Sequence, residues 1–197
     1  MADIQRGRLL DAMAEVMAEE GYIATTVHMV LKRAGISRRT FYELFKDKED
    51  CFLQTYQEAA DHVIELVKQS CAEGGTPEER IENGLRAMLH FARREPATAR
   101  VCIVEVMGAG QRARDRRSET MERLTGLVCE VLELRYAADE AQLRARVIVG
   151  AVHEMVYDAL SRNRTRGLSR VAEEVVESYL APGGTHSDAA AEAVHGR

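Results

Sequence analysis

The chain has 197 residues, and 46% of them are hydrophobic, enough for the core of one domain or two small ones. Aromatics are only 5% and tryptophan is absent, so that core must rest on Leu, Val, Ile, Met and Ala. With a net charge of −5, a charged N-terminus without a signal-peptide core and no apolar run near the ~18 residues of a membrane span, the sequence excludes a membrane protein and predicts a cytoplasmic one.

Three prolines and long runs rich in Ala, Glu, Arg and Leu predict an all-α fold, with no alternating strand pattern and no internal repeat. The first helix is expected over about Ile4–Glu20. Its residues Leu9, Ala12, Met13, Val16 and Met17 recur at helical spacing and give one apolar stripe that ends at Gly21.

The segment from Thr25 to Glu49 predicts two short helices around a tight turn. Thr25 or Thr26 caps the first, whose apolar positions are Val27, Val30, Leu31 and Ala34. Gly35 ends it, since the residue just past a helix is often left-handed. Ile36 plugs the gap between the helices, and Ser37 caps the second, over about Arg38–Phe45, with Phe41, Leu44 and Phe45 inward. From Thr25 to Lys48 six basic residues (Lys32, Arg33, Arg38, Arg39, Lys46, Lys48) stand against two acidic ones (Glu43, Asp47). A basic island in an acidic chain, on a capped helix-turn-helix, points to the DNA major groove and its phosphates. Arg6 and Arg8 face either the DNA backbone or solvent.

Asp47 opens a fourth helix to about Ala72. Gly74-Gly75 break the chain, and Thr76-Pro77-Glu78-Glu79 restart it as a capped fifth helix to about Arg94. A sixth follows Pro96, over about Ala97–Met107. The basic run Arg112, Arg114, Arg116, Arg117 comes next, read as a solvated helix start or interhelical salt bridges, with a second DNA or head contact as the alternative. Further helices are predicted over about Ser118–Tyr136, about Glu140–Arg162 with Asp139 as cap, and about Ser169–Leu180. From Pro182 onward the composition is that of a disordered tail.

The pattern Gly21-Tyr22, Thr25-Thr26-Val27, Ala34-Gly35-Ile36-Ser37 and Thr40-Phe41-Tyr42-x-x-Phe45-Lys46-x-Lys48-Glu49 resembles the TetR (tetracycline-repressor) family of bacterial transcription regulators over roughly residues 6–55. Met17 stands where the family commonly has a large aromatic. The resemblance implies a three-helix DNA-binding head at 1–47, a helical ligand-binding and dimerisation body at 48–182, and a tail at 183–197. It also implies a homodimer formed through the last two main helices, in which the small residues Gly150 and Ala151 allow close approach, and the fourth helix as mechanical link. The expected function is that of a regulator, usually a repressor, released from a pseudo-palindromic operator by a small, mostly apolar effector. A DNA-binding regulator without such an effector is the alternative.

The expected DNA contacts are Arg38, Arg39 and Thr40 at base edges or nearby phosphates, and Tyr42, Lys46, Thr25 or Thr26, and Lys48 at phosphates. The ligand pocket is harder to read. His90, Cys102, Glu105, Met121, His153 and Tyr157 are its candidates, most of them odd as plain core. For Glu105 a solvent-facing or arginine-paired position is equally open, and for His153 a packed position at the subunit interface. The six histidines form no zinc pattern and no nucleophile elbow or phosphate-cradling loop is present, so no catalytic residue, metal or cofactor is expected. Cys51, Cys71, Cys102 and Cys129 read as reduced thiols, with a redox role for one of them left open.

Overall fold

The computed structural model describes residues 2–164 and, beyond them, Leu168, Arg170, Glu174, Val175 and Ser178. Helix α1 (Ala2–Ala24) buries Leu9, Ala12, Met13, Val16 and Met17, the stripe expected from its spacing. Its helical path breaks at Gly21, as the sequence suggested, where the backbone leaves the helical region at φ 79° and ψ 161°. That positive φ is open to glycine without a Cβ penalty, and the chain then makes one further turn.

Helices α2 (Val27–Ala34) and α3 (Arg38–Leu44) each open on a side-chain cap. Thr26 accepts the Met29 N–H at 3.3 Å and Ser37 accepts the Thr40 N–H at 3.1 Å. Gly35 closes α2 at φ 64° with its N–H on the Leu31 carbonyl, and Phe45 is the extended residue that ends α3.

Helix α4 (Lys48–Ala72), capped by Asp47, has 25 residues and is therefore ~37 Å long. Its near half places Phe52, Tyr56 and Ala60 in a core with Leu9, Met13, Met17, Val30, Phe41 and Phe45. Its far half places Val67 and Cys71 in a second core with the remaining helices. One rod is thus packed into both cores. Helix α5 (Pro77–Arg94) begins on a complete capping box, Thr76 with Glu79, and Pro77 sits in the first turn where a missing N–H costs nothing.

The single helix predicted over 97–107 is two elements. α6 (Pro96–Ile103) gives way to a tighter 3-10 turn at Glu105–Gly108. Val101 and Val106 would lie roughly 140° apart on an unbroken α-helix, yet both are fully buried in the head core, which the change of pitch permits. α7 (Gln111–Leu132) starts earlier than predicted, directly after Gly110 at φ 98°, so the arginine run forms its first two turns. α8 (Ala138–Ser161) has Ala137 at its N-cap without a side-chain hydrogen bond. Asp139, expected as the cap, lies in the first turn with Glu140, where a carboxylate favours the helix dipole.

The helix predicted over 169–180 and the tail lie largely outside the described residues; of the positions described there, Leu168 and Val175 are buried against the body core. Among the described residues there is no strand, no disulfide, no cluster of metal-binding side chains, and no helix long and apolar enough to cross a membrane.

Candidate nucleic-acid interface and buried cavity

The outer face of α3 is set by what its inner face buries. Phe41 and Phe45 are 0% and 2% exposed, with rings 5.4 Å apart, and lock the helix to α1 and α4. At 100° per residue this turns Arg39 and Tyr42 outward, and Arg38 in the first turn and Lys46 just past the helix are exposed as well. The Arg38 guanidinium lies 5.6 Å from the centre of the Tyr42 ring, and Arg39 Nε donates to Glu43 at 2.9 Å. The Thr40 hydroxyl is half-buried, 2.9 Å from that of Ser37. Thr26 is exposed at the start of α2. Ile36 packs between the helices as its position suggested, and Arg8 reaches across to the Ala34 carbonyl at 2.6 Å, fastening the end of α2 to α1.

Other basic and hydroxyl groups of the island are turned inward. Thr25, expected as a phosphate contact, is 1% exposed, and its hydroxyl donates to the Gly21 carbonyl at 2.8 Å. Lys48, expected at a phosphate, donates through Nζ to the Tyr22 and Thr25 carbonyls at 2.9 Å each. Its ammonium lies 4.3 Å from the centre of the Tyr22 ring, where burial lowers its affinity for the proton. Arg33 is held by Glu15 and Glu19 and ties α2 to α1. Arg6 bonds Gln54 and Glu58 of α4 rather than facing outward. These groups brace the head; α3, Lys46 and Thr26, the N-cap of α2, form its polar, exposed face.

Glu105, a pocket candidate, instead reaches the head. Its carboxylate accepts the Tyr22 N–H at 2.9 Å, next to the left-handed Gly21, and pairs with Arg100 at 3.2 Å. The arginine-paired alternative for this residue therefore holds, with a backbone contact that sequence did not suggest.

Inside the body, α4, α5, α6, α7 and α8 enclose a cavity of about 1000 Å³, its open mouth included. Cys102, Met121 and His153 line it as expected candidates. His90 is exposed on α5, Glu105 is engaged with the head, and Tyr157 lies on α8 outside the wall. Most of the wall is aliphatic: Val63, Val67, Leu85, Leu124, Val128 and Val152 are representative.

The polar groups gather at the end nearest the head. Tyr56 is hydrogen-bonded with Thr120, and Arg117 Nη2 lies 3.1 Å from His153 Nε2. Burial pushes the Tyr56 hydroxyl and the Cys102 thiol up to about 12, and burial together with the Arg117 charge pushes His153 down to about 4. All three are neutral at pH 7, so Arg117 is the one charged side chain in the wall. The sequence reading missed it by treating the arginine run as a unit. The signal was its spacing: Arg117, Met121, Leu124 and Val128 fall on one stripe of α7.

Residues 9–55 match the family described as bacterial regulatory proteins, tetR family. Over most of its length the chain is similar to two curated bacterial regulators. It is 25% identical to the fatty acid metabolism regulator protein of Bacillus subtilis, covering 86% of this chain and 91% of that one. It is 29% identical to the HTH-type transcriptional repressor AcnR of Corynebacterium diphtheriae, covering 89% and 91%. Its fold is that of the transcriptional regulator FadR from B. subtilis, crystallised in complex with stearoyl-CoA, with a TM-score of 0.78 at 23% identity over 88% of this chain and 97% of that one. The chain thus carries the tetR-family match over residues 9–55 and, along most of its length, the fold of transcription regulators such as FadR.

Proposed function

We propose that this chain is a homodimeric, sequence-specific repressor of the cytoplasm that leaves its operator when a long, mostly apolar ligand enters the body cavity. The observation that carries the DNA half is the outer face of α3. There Arg38, Arg39 and Tyr42 are exposed on a helix pinned from behind by Phe41 and Phe45, and Lys46 is exposed just past its end. In this reading residues 1–47 are the DNA-binding unit and 48–182 the ligand-binding and dimerisation unit. Arg38, Arg39 and Thr40 meet base edges. Tyr42, Lys46 and Thr26 meet phosphates, while Thr25 and Lys48 hold the frame that presents them.

The dimer reading is supported by an apolar stripe left open on α8. Leu143 is 64% exposed and Val147 39%, four residues apart on one face, and a Cβ on Gly150, the next position of that stripe, would meet nothing in its own chain. A two-fold pair would place its α3 helices ~34–36 Å apart or a multiple of it, and so select a pseudo-palindromic site. The effector reading is supported by the aliphatic cavity and by the stearoyl-CoA held by the similarly folded FadR.

The test is a salt titration of binding to the DNA upstream of its own gene. Lys46→Ala is expected to weaken binding to all sequences and to flatten the log–log salt slope by about 1, one phosphate contact. Arg39→Ala is expected to relax base preference instead. No protected footprint at low ionic strength would refute the DNA reading. A dimer that binds DNA yet ignores fatty acyl compounds would favour a regulator without a small-molecule effector.

A further inference from the structure

The cavity holds an electrostatic imbalance. Arg117 stands in its wall, on the apolar stripe of α7, with Nη2 on the His153 imidazole and Nε buried without any hydrogen-bond partner. No carboxylate among the described residues pairs with it. A guanidinium always carries its charge, and a buried donor left unsatisfied is costly. Its single neighbour offers no compensation, because His153 is neutral and accepts one N–H. Elsewhere in the protein half-buried arginines are matched by acids or carbonyls: Arg100 by Glu105 and the Leu160 carbonyl, and Arg80 by the Cys71 carbonyl. Arg100 Nε also lacks a hydrogen bond but lies beside the Glu105 carboxylate, whereas Arg117 Nε lacks one in the cavity wall with no acid paired to it among the described residues.

The shape adds a direction. The polar residues Tyr56, Arg117, Thr120 and His153 lie together at the end nearest the head. From there the wall runs along α4 from Tyr56 to Cys71 and along α7 from Arg117 to Val128, about 22 Å and about 17 Å of helix. Beyond the polar end the wall is aliphatic and aromatic. An apolar cavity with one unmatched cation toward one end fits a particular kind of molecule.

We infer that Arg117 is the anchor for the ligand's head, and that the cavity receives a single unbranched alkyl chain ending in a carboxylate. The carboxylate binds the free Nε–H edge of Arg117 at the head-proximal end, and the chain lies along α4 and α7 toward Cys71 and Val128. This inference rests on the effector reading above and adds to it the ionisation state of the ligand and the residue that selects it. A carboxylate neutralises the guanidinium and takes up its orphaned donor at once, through the charge-assisted geometry at which arginine excels. A neutral head could fill the donor but would leave the charge.

The experiment is calorimetry and operator-release titration on the full-length protein with hexadecanoate, hexadecanol and hexadecanoyl-coenzyme A. Wild type is expected to bind hexadecanoate at least 10-fold more tightly than hexadecanol. Arg117→Met, which keeps the length and removes the charge, is expected to lose that preference while still binding the alcohol, and Arg117→Lys to retain part of it. Alcohol binding by Arg117→Met also shows that the variant is folded. Equal binding of acid and alcohol by wild type, or an acid affinity unchanged in Arg117→Met, would overturn the inference and leave the apolar effector reading standing. Preference for the thioester with no sensitivity to Arg117 would do the same. Failure of every alkyl probe to bind wild type would overturn both.

Discussion

Replacing Glu105 by alanine probes the contact between head and body. In the native protein its carboxylate, only 12% exposed, accepts the Tyr22 N–H at 2.9 Å and faces Arg100 Nε at 3.2 Å. A hydrogen bond to an ionised acceptor contributes about 1.5–3 kcal/mol, and its loss leaves Tyr22 with an unmet donor at a backbone site held by the left-handed Gly21. Arg100 Nε, which has no well-directed hydrogen bond even in the native protein, loses its counter-charge as well. The amide of Tyr22 should therefore exchange roughly 10- to 150-fold faster in Glu105→Ala, measured by native-state hydrogen exchange with NMR detection. The Phe41 amide, bonded to the Ser37 carbonyl within the turn, serves as a reference and should change far less. Glu105→Gln keeps an acceptor without its charge and should fall between. If Tyr22 exchanged at the native rate in the alanine variant, the contact would carry no energy and the coupling argued from it would be wrong.

Other substitutions test the body. A Cβ at Gly84 would lie 2.4 Å from the Cys71 sulfur, so Gly84→Ala should lower stability by about 1–3 kcal/mol in chemical denaturation, and adding Cys71→Ala should recover much of that. Thr76→Ala removes one half of the capping box of α5 and should lower stability by about 1 kcal/mol without changing the denaturant slope. His153 has its proton affinity pushed down to about 4 from an unfolded value of about 6.5, so the unfolded chain binds more protons between those limits. Its contribution is complete above about pH 6.5 and is lost as pH falls toward 4. Allowing for partial solvent screening, this is about 1–2 kcal/mol, and His153→Gln should flatten the pH dependence of denaturation over that window.

The helix-turn-helix was legible because its determinants are local. Thr26, Gly35 and Ser37 act within four residues of themselves, through caps and a left-handed φ, and the structure places them in those roles. The apolar stripes of α1 and α4 were legible for the same reason. What was not legible depends on partners far along the chain. Thr25 and Lys48 have the right chemistry for phosphate, and only the folded end of α1, 23 to 26 residues from Lys48, takes its ammonium inward. Glu105 finds its donor 83 residues away. The start of α7 escaped because Gly110 works through its backbone and offers no capping side chain to read. Arg117 was visible in principle, as the charged member of an otherwise apolar stripe, but its significance depends on a void that no periodicity encodes.

The way Lys48 fastens the end of α1 has a mechanical corollary. The first residue of α4 grips the Tyr22 carbonyl near the end of α1 and the Thr25 carbonyl just past it, and within two turns the α4 rings of Phe52 and Tyr56 are wedged in the core that α1 lines. The near end of the rod is clamped rather than jointed. A clamped lever ~37 Å long moves its load by leverage: a tilt of about 5° displaces one end relative to the other by about 3 Å. Over that arm such a displacement needs no bend in the rod.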